Sequence, residues 1–207
     1  MVDCKFVTTP MELNFKKLCG SVVGPGLANP SEYHQLVGAL MFLVNSRPNI
    51  CFTVNTLIQY MVKPHHIHWI SPKNLLRYLW GIIHYGLRYI FGNLRLHGYT
   101  DADWAGSVVD HKRTSRWCFS LGFGSISWIS GTISVSLSTS ETKYIAMSMA
   151  YSEAIWLRNL FNELFEHVLH TTVIFWDNQS QIHLSENPMF HNHSKHINIR
   201  YHLFVIW

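Results

Sequence analysis

Asp101 and Asp177 each stand at or near the end of an apolar stretch, residues 95–104 and 171–176, that reads as a strand. If those strands are neighbours, two carboxylates meet at one edge of a sheet. Close carboxylates repel unless a cation or a proton lies between them. Hard oxygen ligands of this kind suit Mg²⁺, which uses one or two carboxylates together with substrate phosphates. Two such ions held close together clamp an in-line phosphodiester displacement. Aspartates at strand ends are also ordinary turn and cap residues, so spacing alone leaves both readings open.

Other constellations carry less. His191-x-His193-x-x-His196 invites a zinc reading, but no cysteine or carboxylate completes a tetrahedral set. Asp101-Ala102-Asp103 looks like a polymerase carboxylate pair, yet Tyr-x-Asp-Asp occurs nowhere, so the chain is not expected to polymerise by itself. No G-x-G-x-x-G, P-loop or G-x-S-x-G is present. Cys4, Cys19, Cys51 and Cys118 form no C-x-x-C pair and read as free thiols of a reducing, intracellular compartment, cytoplasmic or nuclear.

The elements that must position the aspartates follow from periodicity. Residues 1–29 carry Pro10, Gly20, Gly24, Pro25 and Gly26 and read as a loop or extended arm. Residues 30–93 are mostly helical. Ser31 is a plausible N-cap before Tyr33, Leu36, Val37, Leu40 and Leu43, and Pro48 ends that helix. Ile50, Val54, Leu57, Ile58 and Met61 form a second stripe. Ser71-Pro72 reads as a cap and first-turn proline before Leu75, Leu76 and Leu79. After Gly92 the period changes. Residues 95–104, 117–121 and 125–128 read as short strands, and Ile133 to Ser138 alternates as a half-buried strand. Ser138-x-x-Glu141 is a capping box opening a long helix through Ile145, Met149, Trp156, Leu157, Leu160, Phe161 and Leu164. Residues 171–176 make a further strand, and a helix starts at Asn178. The order predicts an α/β fold with a mixed sheet and flanking helices, preceded by the helical segment.

The length of 207 residues allows one or two domains, and 48% hydrophobic against 14% charged residues excludes a disordered polymer. No run is apolar enough to span a membrane. The net charge of +4 is uneven: residues 1–94 hold eight Lys/Arg against three Asp/Glu, and residues 95–207 hold eight against nine. The basic part suits a polyanion, and the second part concentrates acids that could hold metal.

Gly98-Tyr99-Thr100-Asp101-Ala102-Asp103-Trp104-Ala105-Gly106 resembles the first strand of the ribonuclease H domain of copia-type retrotransposon Pol polyproteins. Further along, Ile126-Ser127-Trp128, residues 137–146, Glu153-Ala154-Ile155-Trp156-Leu157, Asp177-Asn178-Gln179-Ser180 and Lys195-His196-Ile197 resemble later parts of that domain. Upstream, Glu32-Tyr33, residues 36–41, Arg47-Pro48-Asn49-Ile50, Leu76-Arg77-Tyr78-Leu79 and Tyr85-Gly86-Leu87 resemble the stretch joining reverse transcriptase to it. The resemblance implies a ribonuclease H-like domain over residues 94–207 and a connection-like segment over 30–93, both once part of a longer polyprotein. It implies hydrolysis of RNA in an RNA/DNA hybrid by two Mg²⁺ ions, with Asp101 and Asp177 as the first and third metal-binding acids.

Departures from the family pattern bear on activity. The family reads Ser-Ser-Thr-Glu-Ala-Glu-Tyr, with its second glutamate facing the metals. Here Ser138-Thr139-Ser140-Glu141-Thr142-Lys143-Tyr144 puts Lys143 in that place. Glu141, two positions earlier, is rotated by about 200° on a helix. The fourth acid belongs to a closing helix after a fifth strand, and the chain stops at Trp207 before either, so two of four acids are expected to be missing. An ammonium at residue 143 competes with Mg²⁺ for the two aspartates. Arg116 replaces a glycine in what the family makes a turn, Gly131-Thr132 replaces a lysine pair in a loop, and Asn198 replaces an aspartate. The expectation is a truncated, degenerate copy of the Pol C-terminal part whose cleavage is lost. The alternatives are a non-catalytic remnant that binds hybrid or other nucleic acid, and a non-functional element product.

Overall fold

The computed structural model describes residues 4–11, 24–90, 92, 94–103, 113–133, 139–166, 168–169 and 171–176, with backbone alone at 102, 103, 113, 132, 133 and 139–144. The chain divides into two units, Met1–Leu87 and Arg88–Trp207.

The first unit is built on helices α1 (Pro30–Val44), α2 (Cys51–Ile58) and α3 (His66–Gly81), with a single 3₁₀ turn at Pro48–Ile50 leading into α2. Tyr33, Val37 and Leu40, at i, i+4 and i+7 on α1, meet Ile50, Val54 and Leu57 and Leu75 of α3 in one buried cluster. The Tyr33 hydroxyl donates to the Leu57 carbonyl at 2.8 Å, which satisfies both polar groups inside the core. Two expected helix starts are corrected. α1 begins at Pro30, whose fixed φ suits a first turn, so Ser31 is not its N-cap. α3 begins six residues before Pro72, which lies inside the helix. Its first turn is secured locally: the His65 amide donates to His68 Nδ1 at 3.0 Å, and the His66 amide donates to the Pro25 carbonyl at 3.2 Å. Those bonds start the helix without Ser71, and Pro72 costs it one interior bond.

The second unit is a four-stranded sheet of order β3-β2-β1-β4 with β1 (Leu96–Asp103), β2 (Arg113–Leu121), β3 (Gly124–Ile133) and β4 (Val173–Trp176). One long helix, α4 (Thr139–Phe165), links β3 to β4. β1 pairs antiparallel with β2 and parallel with β4, so the sheet is mixed as expected. The strands read separately at 125–128 and from Ile133 are one strand as far as Ile133, because the β2 register continues through Gly131 and Thr132. The remainder of that expected strand and Ser138 of the expected capping box lie outside the described residues, as does the helix expected from Asn178. A bulge in β3 opposite Phe119/Ser120 absorbs one extra residue.

The core of this unit joins Leu96 and Phe119 of the sheet to Ala150, Ala154 and Leu157 of α4 and to Leu169. Small residues at Ala146, Ala150 and Ala154 repeat every fourth position, so α4 presents a shallow stripe toward the sheet. Gly98, paired with Phe119, completes the fit, because any Cβ there would collide with the Phe119 ring. Trp156, expected in the apolar stripe, is 56% exposed: it sits beside Leu157 but about 100° around the helix. No helix among the described residues is long and apolar enough to cross a membrane.

Two outcomes are expected from this packing. Gly98→Ala should destabilise the second unit by about 2–3 kcal/mol in urea unfolding, with partial recovery when Phe119→Leu is added. Burial pushes the Tyr33 phenol well above its ordinary value of 10.0. Below pH 10 both folded and unfolded phenols are protonated and stability is intact. Above it the unfolded phenol ionises first, so stability falls by up to about 1.4 kcal/mol per pH unit for this one group. Tyr33→Phe should lower stability at neutral pH by about 1–2 kcal/mol and remove that alkaline slope, as measured by unfolding between pH 8 and 11.

Candidate metal and nucleic-acid site

Alternation along β1 sorts its side chains. Leu96, Gly98 and Thr100 are buried on the face that meets α4, while Tyr99 and Asp101 are exposed on the other. The Thr100 hydroxyl donates to the Arg116 carbonyl at 3.2 Å and ties β1 to β2 immediately before Asp101. In the parallel register Thr100 stands beside Trp176. Trp176 precedes Asp177 in sequence; Asp177 itself lies outside the described residues. The strand carrying Asp101 and the strand that leads into Asp177 are therefore adjacent, as the first reading of the aspartates required.

Across the antiparallel register Asp101 pairs with Arg116. Residues directly opposite on neighbouring strands project from the same face, so the cation and the carboxylate share one side of the sheet. The expected turn at residues 112–116 is overturned: Arg113 to Arg116 belong to β2, and no left-handed φ is needed at 116. The loop expected at Gly131-Thr132 is likewise strand, paired with Ser115 and Thr114. Both changes follow from a β2–β3 hairpin longer than the motif spacing suggested.

Lys143 falls in the second turn of α4, seven residues before Ala150 and three before Ala146. Helical geometry puts position 143 on the stripe shared by those sheet-facing alanines, whereas position 141 falls about 180° from Ala150. The side chains of both residues are outside the description. Asp101 points to the face of β1 away from α4, so the described geometry does not bring Asp101 and the α4 stripe onto one surface. Among the described residues no group of three or more His, Cys, Asp or Glu is arranged to hold a metal. His191, His193 and His196 of the zinc reading lie outside the described residues.

Two features escaped the sequence reading. Phe175 stacks on Tyr99 with ring centroids 4.9 Å apart, and His97 meets Tyr99 edge-on at 5.9 Å, so an aromatic row runs up to Asp101 on the open face. The period of two over His97, Tyr99 and Asp101 is the signal that could have shown it. On the covered face the Ser127 hydroxyl donates to Glu153 Oε1 at 2.6 Å, which pins α4 to β3 and gives Glu153 a structural role.

Comparison with known proteins gives the lineage. The chain is 39% identical over 204 residues to the retrovirus-related Pol polyprotein from transposon RE2 of Arabidopsis thaliana, covering 98% of this chain and 14% of that protein. It is 37% identical over 208 residues to the corresponding polyprotein from transposon TNT 1-94 of Nicotiana tabacum, covering 98% of this chain and 16% of that protein. An uncharacterized mitochondrial protein of Arabidopsis thaliana is 37% identical over 159 residues, 75% of this chain and 65% of that protein. No family model matches, and no solved structure matches. The chain thus spans only about one seventh of the length of the transposon polyproteins it matches. Similarity at this level along 98% of the chain, in two separate transposons, makes it a member of the copia-type retrovirus-related Pol polyprotein family.

Proposed function

We propose that residues 94–207 are a ribonuclease H-like domain inherited from Pol, preceded by a connection-like segment at 30–93 and an arm at 1–29, and that hybrid cleavage has been lost. The parallel register of Thr100 with Trp176 is the observation that carries the fold reading. It sets the Asp101 strand end beside the strand that runs into Asp177, as a shared metal site requires.

The residues do not fit a working two-ion centre. Asp101 is one exposed carboxylate facing the same side as Arg116, and the helix position that the resemblance gives to a glutamate is Lys143. Two divalent ions need several converging oxygen ligands. The resemblance puts a lysine where the family has a metal ligand, and an ammonium cannot coordinate a cation. No step of a metal-dependent mechanism is therefore assigned to this chain.

The direct test incubates the full chain with end-labelled RNA annealed to DNA, in Mg²⁺ and in Mn²⁺. No cleavage above buffer is expected. Cleavage that survives rigorous purification and disappears in Asp101→Asn would overturn the loss. Lys143→Glu alone is expected to remain inactive, because the described geometry does not bring Asp101 and the α4 stripe onto one surface. Asp101→Asn should change stability by no more than about 0.5 kcal/mol, since the side chain is exposed. A loss several times larger in urea unfolding would give Asp101 a structural role instead.

A further inference from the structure

The second half of α4 carries polar groups that the core does not use. Tyr151, Ala154, Ile155, Arg158 and Asn159 recur at three- and four-residue steps and so share one side of the helix. Across from them stand Thr171, Thr172 and Ile174, at and just before the start of β4. Thr172 and Ile174 are two residues apart and project to one side of the chain, the side on which Ile174 packs against the α4 core. These two rows line a cavity of about 590 Å³. That is the size of a small-molecule pocket and far beyond the roughly 30 Å³ of one water. The short side chain of Ala154, buried on the inner side, leaves the room, while Ile155, Asn159 and Thr171 are exposed at the opening.

The lining has two chemistries. Ala154, Ile155 and Ile174 are apolar. Arg158 alone is charged among the described residues that line the cavity, and no carboxylate stands among them. Its Nη2 donates to the Leu169 carbonyl at 3.4 Å. That bond fixes the half-buried guanidinium in place and uses one of its five N–H donors. Thr172 Oγ1 is buried and has no hydrogen-bond partner among the described residues. Such a hydroxyl is costly to leave unmatched, so its position on a cavity wall favours a ligand that carries an acceptor.

We propose that this cavity binds a small amphipathic carboxylate, with its carboxylate on the Arg158 guanidinium and the Thr172 hydroxyl and its apolar body against Ala154, Ile155 and Ile174. The planar fork of an arginine matches a carboxylate in geometry as well as charge. A bare inorganic anion would use the cation but leave the apolar wall uncovered. Asp101 and Lys143 are not among the lining residues, so this site does not rest on the ribonuclease H reading.

The test is isothermal titration calorimetry of the full chain with 2-naphthoate, compared with neutral 2-naphthamide. One site per chain is expected, with naphthoate at least about tenfold tighter than the amide, since hydrogen bonds to charged groups are the stronger kind. Arg158→Gln should remove that preference. Thr172→Val should weaken naphthoate about fivefold. It should leave urea unfolding of the free protein unchanged or more stable, which a hydroxyl with a structural role would not allow. Should Arg158→Gln fail to fold, Thr172→Val decides. Absence of saturable binding, equal binding of naphthoate and amide, parental binding by the variants, or equal competition by inorganic phosphate would each overturn the proposal.

Discussion

The second unit depends on one steric fact: the Phe119 ring occupies the space in which a side chain at position 98 would sit. That contact fixes the β1–β2 register, since sliding β1 by one residue would drive His97 or Tyr99 into the ring and turn the buried set outward. It also lets α4 lie low on the sheet, where Ala150 and Ala154 complete the layer. Fully buried Phe119 is worth about 2–3 kcal/mol of transfer free energy, and its neighbours are small enough to keep the packing close. Register then propagates. With Gly98 held against Phe119, Thr100 falls opposite Trp117 on one side and Trp176 on the other, and Asp101 becomes the residue just past the last β1–β4 pair.

Much of this was legible because it is local. Alternation over residues 96–101, the stripe Ile145 to Leu157, and Tyr33, Val37 and Leu40 at helical spacing each announce a buried face without knowledge of the partner. The failures came where tertiary partners overruled a local signal. Pro72 looked like a helix start because proline is comfortable in a first turn, yet the His65–His68 and His66–Pro25 hydrogen bonds start α3 earlier. Arg116 looked like a turn residue by motif alignment, but the long pairing from Arg113↔Ile133 to Leu121↔Gly124 holds it in a strand. Trp156 looked like core because it is large and apolar, while the helix turns it outward and buries Leu157 instead.

For the candidate site, sequence supplied the residue types and the structure supplied their faces. Asp101 could be placed at a strand end by pattern, and the adjacency of its strand to β4 is what a shared carboxylate site needs. The face it occupies was also implicit, since Thr100 and Asp101 must alternate, but only the position of α4 says which face is covered. Arg116 opposite Asp101 was not legible at all, because cross-strand partners depend on hairpin length. That pairing sets Asp101 and Arg116 directly opposite each other, with both residues on one face of the sheet.

A metal centre and a phosphate-binding surface also tolerate sequence change differently. Ligands around a divalent ion act as a set: one carboxylate replaced by an ammonium removes a bond and adds a repulsion at the same point, and the remaining acids lose much of what made their proximity favourable. Cations along a helix face act nearly one by one, each neutralising its own phosphate and releasing its own counterions. Lys143 in the stretch that the resemblance assigns to a metal ligand is a change of the first kind. The acid-free run from Tyr33 to Thr100, with Lys73 and Arg77 on one face of α3, has no such ligand set to lose.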